Sequence, residues 1–402
     1  MKKIIFMLLL CAALFAGLCA TKQSFDSGDS MTVAPLAAEN NSGDSSVDDL
    51  LDKLNLADIQ SILDTLSQDG IAVFGFSDIK ARIKAIASGE FKNDFKSIFT
   101  YTLALLGVDV LEFLPMLIGC LAIVLAYNIV DSIKARAASD SVGKAVYFAT
   151  GTLALTLILG YFTSVMVYAV KYVASLKTQI NAIAPVLITL MTAAGATSSA
   201  SVYAPSVAFL GSGMTNAVTY LAFPALLMGM VFDIIGCVFG AVKLDKTADF
   251  FRSACKWFLG TAFFLFIAVI GVMGITASVN DGISIRAAKF AMSSYVPIIG
   301  GYLSQGFDFV MAGNVLIKNA LGSSAVVMIV LFAVPVISKL AVFTLSLKLT
   351  AAIAEPLGGD KFGGILTAVS KSSSAMTAVV AAMTFLYVLF LSMIIGTGNM
   401  VI

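Results

Sequence analysis

TQINAIAPVLITLMTAAGATSSASVYAPSVAFLGSGMTNAVTYLAFPALLMGMVF, Thr178 to Phe232, runs for 55 residues without one charged side chain. That is long enough for two membrane crossings with a short link, or for three if the region to Val242 is included. It is not one uniform apolar block. Pro185 sits early, MTAAGATSSAS (Met191–Ser201) supplies only small residues after Met191, and Pro205, Gly211, Gly213 and Pro224 follow. Irregular backbone is not tolerated against lipid, so such breaks must pack on protein or line water. Small residues also let helices approach closely.

The whole chain agrees with a membrane reading. Of 402 residues, 59% are apolar and 12% charged, and the mean hydropathy is +0.96. Soluble domains carry about 45–50% apolar and about 25% charged residues, so a soluble enzyme is excluded. The fold expected is all-α, a polytopic helical membrane protein. The net charge of +1 gives no basic face for nucleic acid. With no His, imidazole metal sites and His-dependent nucleophilic catalysis cannot be built. No Walker A loop or dinucleotide fingerprint occurs. No catalytic residue, cofactor or metal is therefore expected. Outside the first twenty residues the cysteines are Cys120, Cys237 and Cys255, scattered in or beside apolar segments without metal-ligand spacing.

Residues 1–20 read as a signal peptide: Lys2 and Lys3, then apolar Ile4 to Leu18, then cleavage near Ala20. Residues 21–46 are rich in Ser, Asp, Asn and Gly and predict a disordered leader. Residues 47–112 predict an exported amphipathic-helical region. Val47, Leu50, Leu51, Leu54, Ile59, Ile62, Leu63 and Leu66 recur at helical spacing among aspartates, with Ser46 as cap and Gly70 as stop, so one helix of about five to six turns is expected. A second helix is expected over Ser77–Ser88, with Ile79, Ile83 and Ile86 on one face and Lys80, Arg82 and Lys84 on the other. A third begins near Phe91. The region is acidic up to Gly70 and basic from Lys80 to Lys96, which suits a cap lying on lipid headgroups or a docking surface for an exported partner.

The polytopic domain spans 113–399. Phe113–Val130 is eighteen uncharged residues, about 27 Å as a helix, with Asp109 and Glu112 marking the interface before it. Ala145–Val170, Trp257–Val279, Ser323–Leu347 (interrupted by Pro335 and Lys339) and Ala375–Gly396 are further spans. SSYVPIIGGYLSQGFDFVMAGNVLIKN (Ser293–Asn319) is too polar for a simple span and predicts a re-entrant hairpin or broken helix. Placing IAPVLITLM (Ile183–Met191) over YVPIIGGYL (Tyr295–Leu303) aligns Pro185 with Pro297. Inverted-repeat transporters show such paired breaks, and chance in apolar sequence also gives one aligned proline. With the mature N-terminus exported, the 131–144 and 243–256 loops fall on the cytoplasmic side, as their Lys and Arg content favours. Seven or eight crossings satisfy this.

Acidic residues at membrane depth are functional candidates by default. Asp233 and Asp308 are such residues unless both sit at the interface. Glu355 in AEPLGGD marks a turn. The candidate broken-helix or pore positions are Pro185, Gly195, Pro205, Pro297, Gly300, Gly301, Gly306 and Asp308. From the residues alone the protein is a channel, a permease or a membrane scaffold.

MTAAGATSSASVYAPSV (Met191–Val207) and NDGISIRAAKFAMSSYVPIIGGYLSQGFDFVMAGNVLIKNALG (Asn280–Gly322) resemble the stage III sporulation protein AE family of endospore-forming bacteria. AEPLGGDKF (Ala354–Phe362), the acidic helical leader and the GTGN tail (Gly396–Asn399) support the resemblance, which covers the chain from about Val47 onward. It implies a permease-like, multi-pass component of the mother-cell membrane around the engulfed forespore. The partners it implies are other channel proteins, including a secretion-type ATPase and ring-forming proteins, and a forespore partner across the intermembrane space. Membrane lipid is a further partner, and nucleic acid is not. The implied role is a platform or pore of a secretion-like feeding tube. A stand-alone secondary transporter and a passive scaffold are the alternatives. The family brings no catalytic residue to carry over.

Overall fold

The computed structural model describes residues 51–52, 54–89, 95–137, 140–239, 244–295, 300–356 and 360–397, and these residues are helical without a strand. The signal, the 21–46 leader and Pro297 lie outside the described residues.

The exported region is a cap of three short helices, α1 (Ala57–Leu63), α2 (Gln68–Phe74) and α3 (Ile79–Ala87). The single long helix expected up to Gly70 is thus divided. Ser67 turns its hydroxyl to accept from the Gly70 amide at 3.1 Å, so the serine starts a new helix. Gly70 is buried inside α2, and the stop is Gly75, whose φ of 86° places it in the left-handed region that glycine adopts freely. The division lets Ile59, Leu63, Leu66 and Phe74 join Ile79 and Ile83 in the buried core, which is continuous with that of the long helices. The helix expected over 77–88 is present as α3, started by the Asp78 carboxylate on the Lys80 amide.

Six long helices follow: α4 (Phe95–Ala137), α5 (Asp140–Ala193), α6 (197–239), α7 (Asp245–Tyr295), α8 (Gly300–Ala354) and α9 (Asp360–Gly396). All six are long and apolar enough to cross a membrane. Single helices of 37 to 55 residues are about 55–80 Å long, against a hydrocarbon core of about 30 Å. Each therefore tilts or projects beyond the bilayer. The five clean spans expected from sequence fall inside α4, α5, α7, α8 and α9.

Two expectations are corrected. Six spans are found among the described residues, against seven or eight, because the uncharged stretch makes one turn only, at Ala194–Ala196, and returns as α6. Of the segment 293–319, expected as a re-entrant hairpin or broken helix, residues 296–299 lie outside the described residues, and from Gly300 onward α8 passes unbroken through Gly301, Gly306 and Gly313. Pro115, Pro185, Pro205 and Pro335 likewise lie within helices. A proline removes one donor of the helical ladder. In hydrocarbon, opening the surrounding turns would leave further backbone groups unpaired, so the helix continues around it.

The helices run up and down, so α4, α6 and α8 share a direction. α8 and α9 form the centre. α8 also packs on α4 and α5, while α9 packs on α5 and α6, and α6 lies along α7. Leu321, Met328, Leu340 and Phe343 of α8 and Val380, Met383, Tyr387 and Phe390 of α9 are fully buried. α4 and α7 turn Leu103, Leu111, Ile118, Trp257, Phe264 and Ile275 outward, the surface that lipid covers. Cys120 and Cys255 are buried, as their apolar surroundings predict, whereas Cys237 is only partly buried.

α8 and α9 meet tightly at Gly322, where an added Cβ would stand 2.4 Å from Cγ1 of Ile395. Gly322→Val is expected to lower stability by about 1–3 kcal/mol through overpacking. Denaturant unfolding of the detergent-solubilised protein measures it, and an unchanged midpoint would show that this approach is not tight.

Candidate functional site

Of the eight positions singled out from sequence, Pro297 lies outside the described residues, and the other seven are distributed over α5, α6, α8 and the α5–α6 turn. Gly195 makes the α5–α6 turn with φ of +82°, and its missing side chain leaves room for Ile285 of α7 at 3.1 Å. Pro185 and Pro205 lie on exposed faces of α5 and α6. Gly300 opens α8, and Gly301 and Gly306 have open space where a side chain would stand. Asp308 is paired with Lys289 of α7 at 2.5 Å and is partly exposed. The ends of α7 and α8 are held together by that pair.

Asp281 locks the α5–α6 turn to α7. It is fully buried, and its two carboxylate oxygens accept from the amides of Ser198 and Ser199 at 2.7 and 2.9 Å. These amides open α6 and have no helical partner of their own, and the partial positive charge of a helix start favours a carboxylate there. Asn314 of α8 donates to the Ala193 carbonyl at 3.4 Å on the other side of the turn.

α6 carries a second irregularity, which its glycines and small residues only hint at. Phe209–Met214 and Val218–Ala222 are wound as π-helix. This winding changes which carbonyls find a partner along the helix, and such turns recur at functional positions. The Leu210 carbonyl accepts from the Tyr387 hydroxyl of α9 at 2.8 Å, and Thr215 lies 2.8 Å from the same hydroxyl. Gly211 permits the fit, since a Cβ there would stand 2.5 Å from Oδ1 of Asn181 on α5.

The charged residues that reasoning from sequence undervalued are the ones brought together. Asp109 and Glu112 were expected at an interface ahead of the first span, and Lys339 only as an interruption of another. Instead Asp109 is buried between α4 and α8, accepting from the Ser338 hydroxyl at 2.5 Å. Glu112 holds Lys339 with its two oxygens at 2.7 and 2.8 Å, and that ammonium stands 5.2 Å above the Tyr168 ring of α5. The cluster joins three candidate spans well inside their ends. The signal was present in sequence: a carboxylate pair three residues apart before one apolar run and a lone lysine in another. Their mutual distance was not. Asp233, which was read as an interfacial residue or a functional candidate, is buried and paired with Arg252 at 2.5 Å, while Arg252 also reaches Asp249 at 2.8 Å.

The cap is tied to the bundle by Arg82. It is buried rather than on the solvated side of α3, stacks 3.9 Å over the Phe74 ring and donates from Nε to Ser324 of α8 at 3.2 Å. Burial lowers its guanidinium to about 10, which leaves it charged at neutral pH. Lys80 is held above its ordinary range by a hydrogen bond to Asp52. Among the described residues no group of three metal-binding side chains is close enough to hold an ion.

An unpaired charge within a membrane helix costs up to about 2.5–3.5 kcal/mol on insertion scales, and the Glu112–Lys339 pair offsets such a cost for both residues. Lys339→Met is expected to destabilise by about 2–4 kcal/mol, and the double variant with Glu112→Gln to recover at least half of that. A double-mutant cycle on denaturant unfolding checks it; strictly additive losses would sink the pairing.

Comparison with known proteins places the chain. A family model described as stage III sporulation protein AE matches residues 77–398. A relative of that name from Bacillus subtilis (strain 168) is 27% identical over 285 residues, covering 71% of each chain. No solved structure matches. With a match that takes in part of the cap and nearly all of the bundle, this multi-pass helical chain belongs to the stage III sporulation protein AE family.

Proposed function

We propose that this sporulation protein is the membrane platform or pore component of a mother-cell-to-forespore channel, acting without catalysis of its own. The observation that carries the reading is the cap. A folded three-helix unit is clamped by Arg82 to Ser324 of α8 in the helical bundle and turns Asp58, Asp64 and Asp69 outward. A solute transporter has no need of such a rigid acidic surface. A platform for proteins on the exported side does.

The proposed orientation follows from charge. Lys134, Arg136 and Lys144 flank the α4–α5 connection, and Lys246, Arg252 and Lys256 lie early in α7, at the end opposite the cap. Basic residues are retained on the cytoplasmic side, which leaves the cap on the exported side. There it would meet ring-forming partners and, across the intermembrane space, a forespore protein, while a secretion-type ATPase would act from the mother cell.

A crosslinked pull-down of the full chain from its host during engulfment tests this. Recovery of the ATPase and ring-forming proteins is the expected result; recovery of the chain alone, in a form that binds a solute saturably, would replace the proposal with a transporter. Surface variants add a second readout. Gly301→Leu and Gly306→Leu meet no neighbour within the chain and are expected to leave its accumulation and unfolding midpoint unchanged. If a partner covers that face, they lower spore yield at least tenfold.

A further inference from the structure

The Asp109 cluster is short of one positive charge. Among the described residues, the titratable groups around Asp109 are Glu112 on α4, Tyr168 on α5 and Lys339 on α8. That makes two carboxylates and a single ammonium. Lys339 is already committed to Glu112, touching its two oxygens, and to the ring of Tyr168. Asp109 is only 7% exposed, and its hydrogen bond is to the neutral hydroxyl of Ser338 at 2.5 Å.

Among the described residues Asp109 has no ion pair, and Ser338 is its side-chain partner. Val108 and Leu111, beside Asp109 on α4, face outward at 62% and 69% exposure, where lipid lies, and Phe113 packs inward on Phe343 at 5.2 Å between ring centroids. A carboxylate without a counter-ion is not retained in such surroundings; it neutralises instead. A metal cation would need about six oxygen ligands, and the groups around Asp109 offer two carboxylates, one of them committed to Lys339, and a few hydroxyls.

We propose that Asp109 is a proton-binding site within the bundle, a neutral acid at rest that exchanges its proton with water. On uptake the proton joins a carboxylate oxygen of Asp109 and water is left behind; on release it returns to water. Ser338 serves both states, since its hydroxyl can donate to the carboxylate or accept from the acid. The site lies on the seam where α4, which follows the cap, meets α8, which carries the cap's anchor at Ser324. Loss of the proton puts an uncompensated charge into that seam, so occupancy governs how tightly α4 and α8 close.

The test is infrared spectroscopy of the full chain in lipid vesicles at neutral pH, in sodium-free buffer. The expected result is a protonated-carboxyl band that shifts on transfer to D2O, disappears in Asp109→Asn and persists in Glu112→Gln. Absence of the band in folded wild-type protein, or its persistence in Asp109→Asn, overturns the proposal. Loss of the band on adding sodium also overturns it, because a metal cation would then be the ligand. If Asp109→Asn does not fold, Ser338→Ala decides: the band must move when its hydrogen-bond partner is removed, and an unmoved band assigns the proton elsewhere.

Discussion

Hydrocarbon offers no partner for a peptide N–H or C=O, and the rest of this structure depends on that constraint. It explains why helices of 51, 54 and 55 residues continue where a soluble chain would break. Pro185, Pro205 and Pro335 each forfeit a single donor, whereas a loop at the same depth would strand several groups. The backbone therefore bends its rules only where another helix supplies the missing bond. The π turn at Phe209–Met214 stands beside the Tyr387 hydroxyl, which satisfies Leu210. The α5–α6 turn stands beside Asp281, which satisfies Ser198 and Ser199. Irregularity and its remedy lie on different helices, so each break also fixes how two helices sit together.

The same reasoning separates what the sequence discloses from what it hides. Helical class, membrane embedding and most spans are legible because they rest on composition and on runs of apolar residues. Reading a break into every proline and glycine goes wrong in a predictable direction, since propensities learned in water overstate how readily a membrane helix opens. Gly195 is a true break, and its positive φ and close contact with Ile285 show why. Gly301 and Gly306 differ: they leave open space on a continuous helix. In the cap, where water is available, the error is opposite. A run of apolar residues at helical spacing is divided at Ser67 because capping and core packing there outweigh continuity.

Long-range polar partners are the part a single sequence cannot disclose. Asp109 and Ser338 are 229 residues apart in the chain and 2.5 Å apart in space. Glu112 and Lys339, 227 residues apart, meet beside them. Taken singly, Asp109 and Glu112 look like ordinary interfacial residues, and Lys339 looks like a blemish in a span. Their meaning comes from being opposite one another, and that depends on the register in which α4 and α8 pack.

Register, in turn, is what apolar packing specifies poorly. Helix faces rich in Leu, Ile and Val can slide by a turn with little loss, because lipid is as apolar as the interface and the hydrophobic effect drives little between helices in the bilayer. Polar pairs remove that freedom. A one-turn slip of α4 against α8, about 5.4 Å, would part Glu112 from Lys339 and Asp109 from Ser338 at once, leaving several polar groups without partners in hydrocarbon. Arg252 with Asp233 does the same for α6 and α7, and Arg82 with Ser324 for the cap. The buried polar contacts of this protein are thus its alignment marks. Those at the α4–α8 seam differ from the rest in one respect: Asp233 meets a full opposite charge and Asp109 does not, which makes the seam the joint whose alignment a proton can alter.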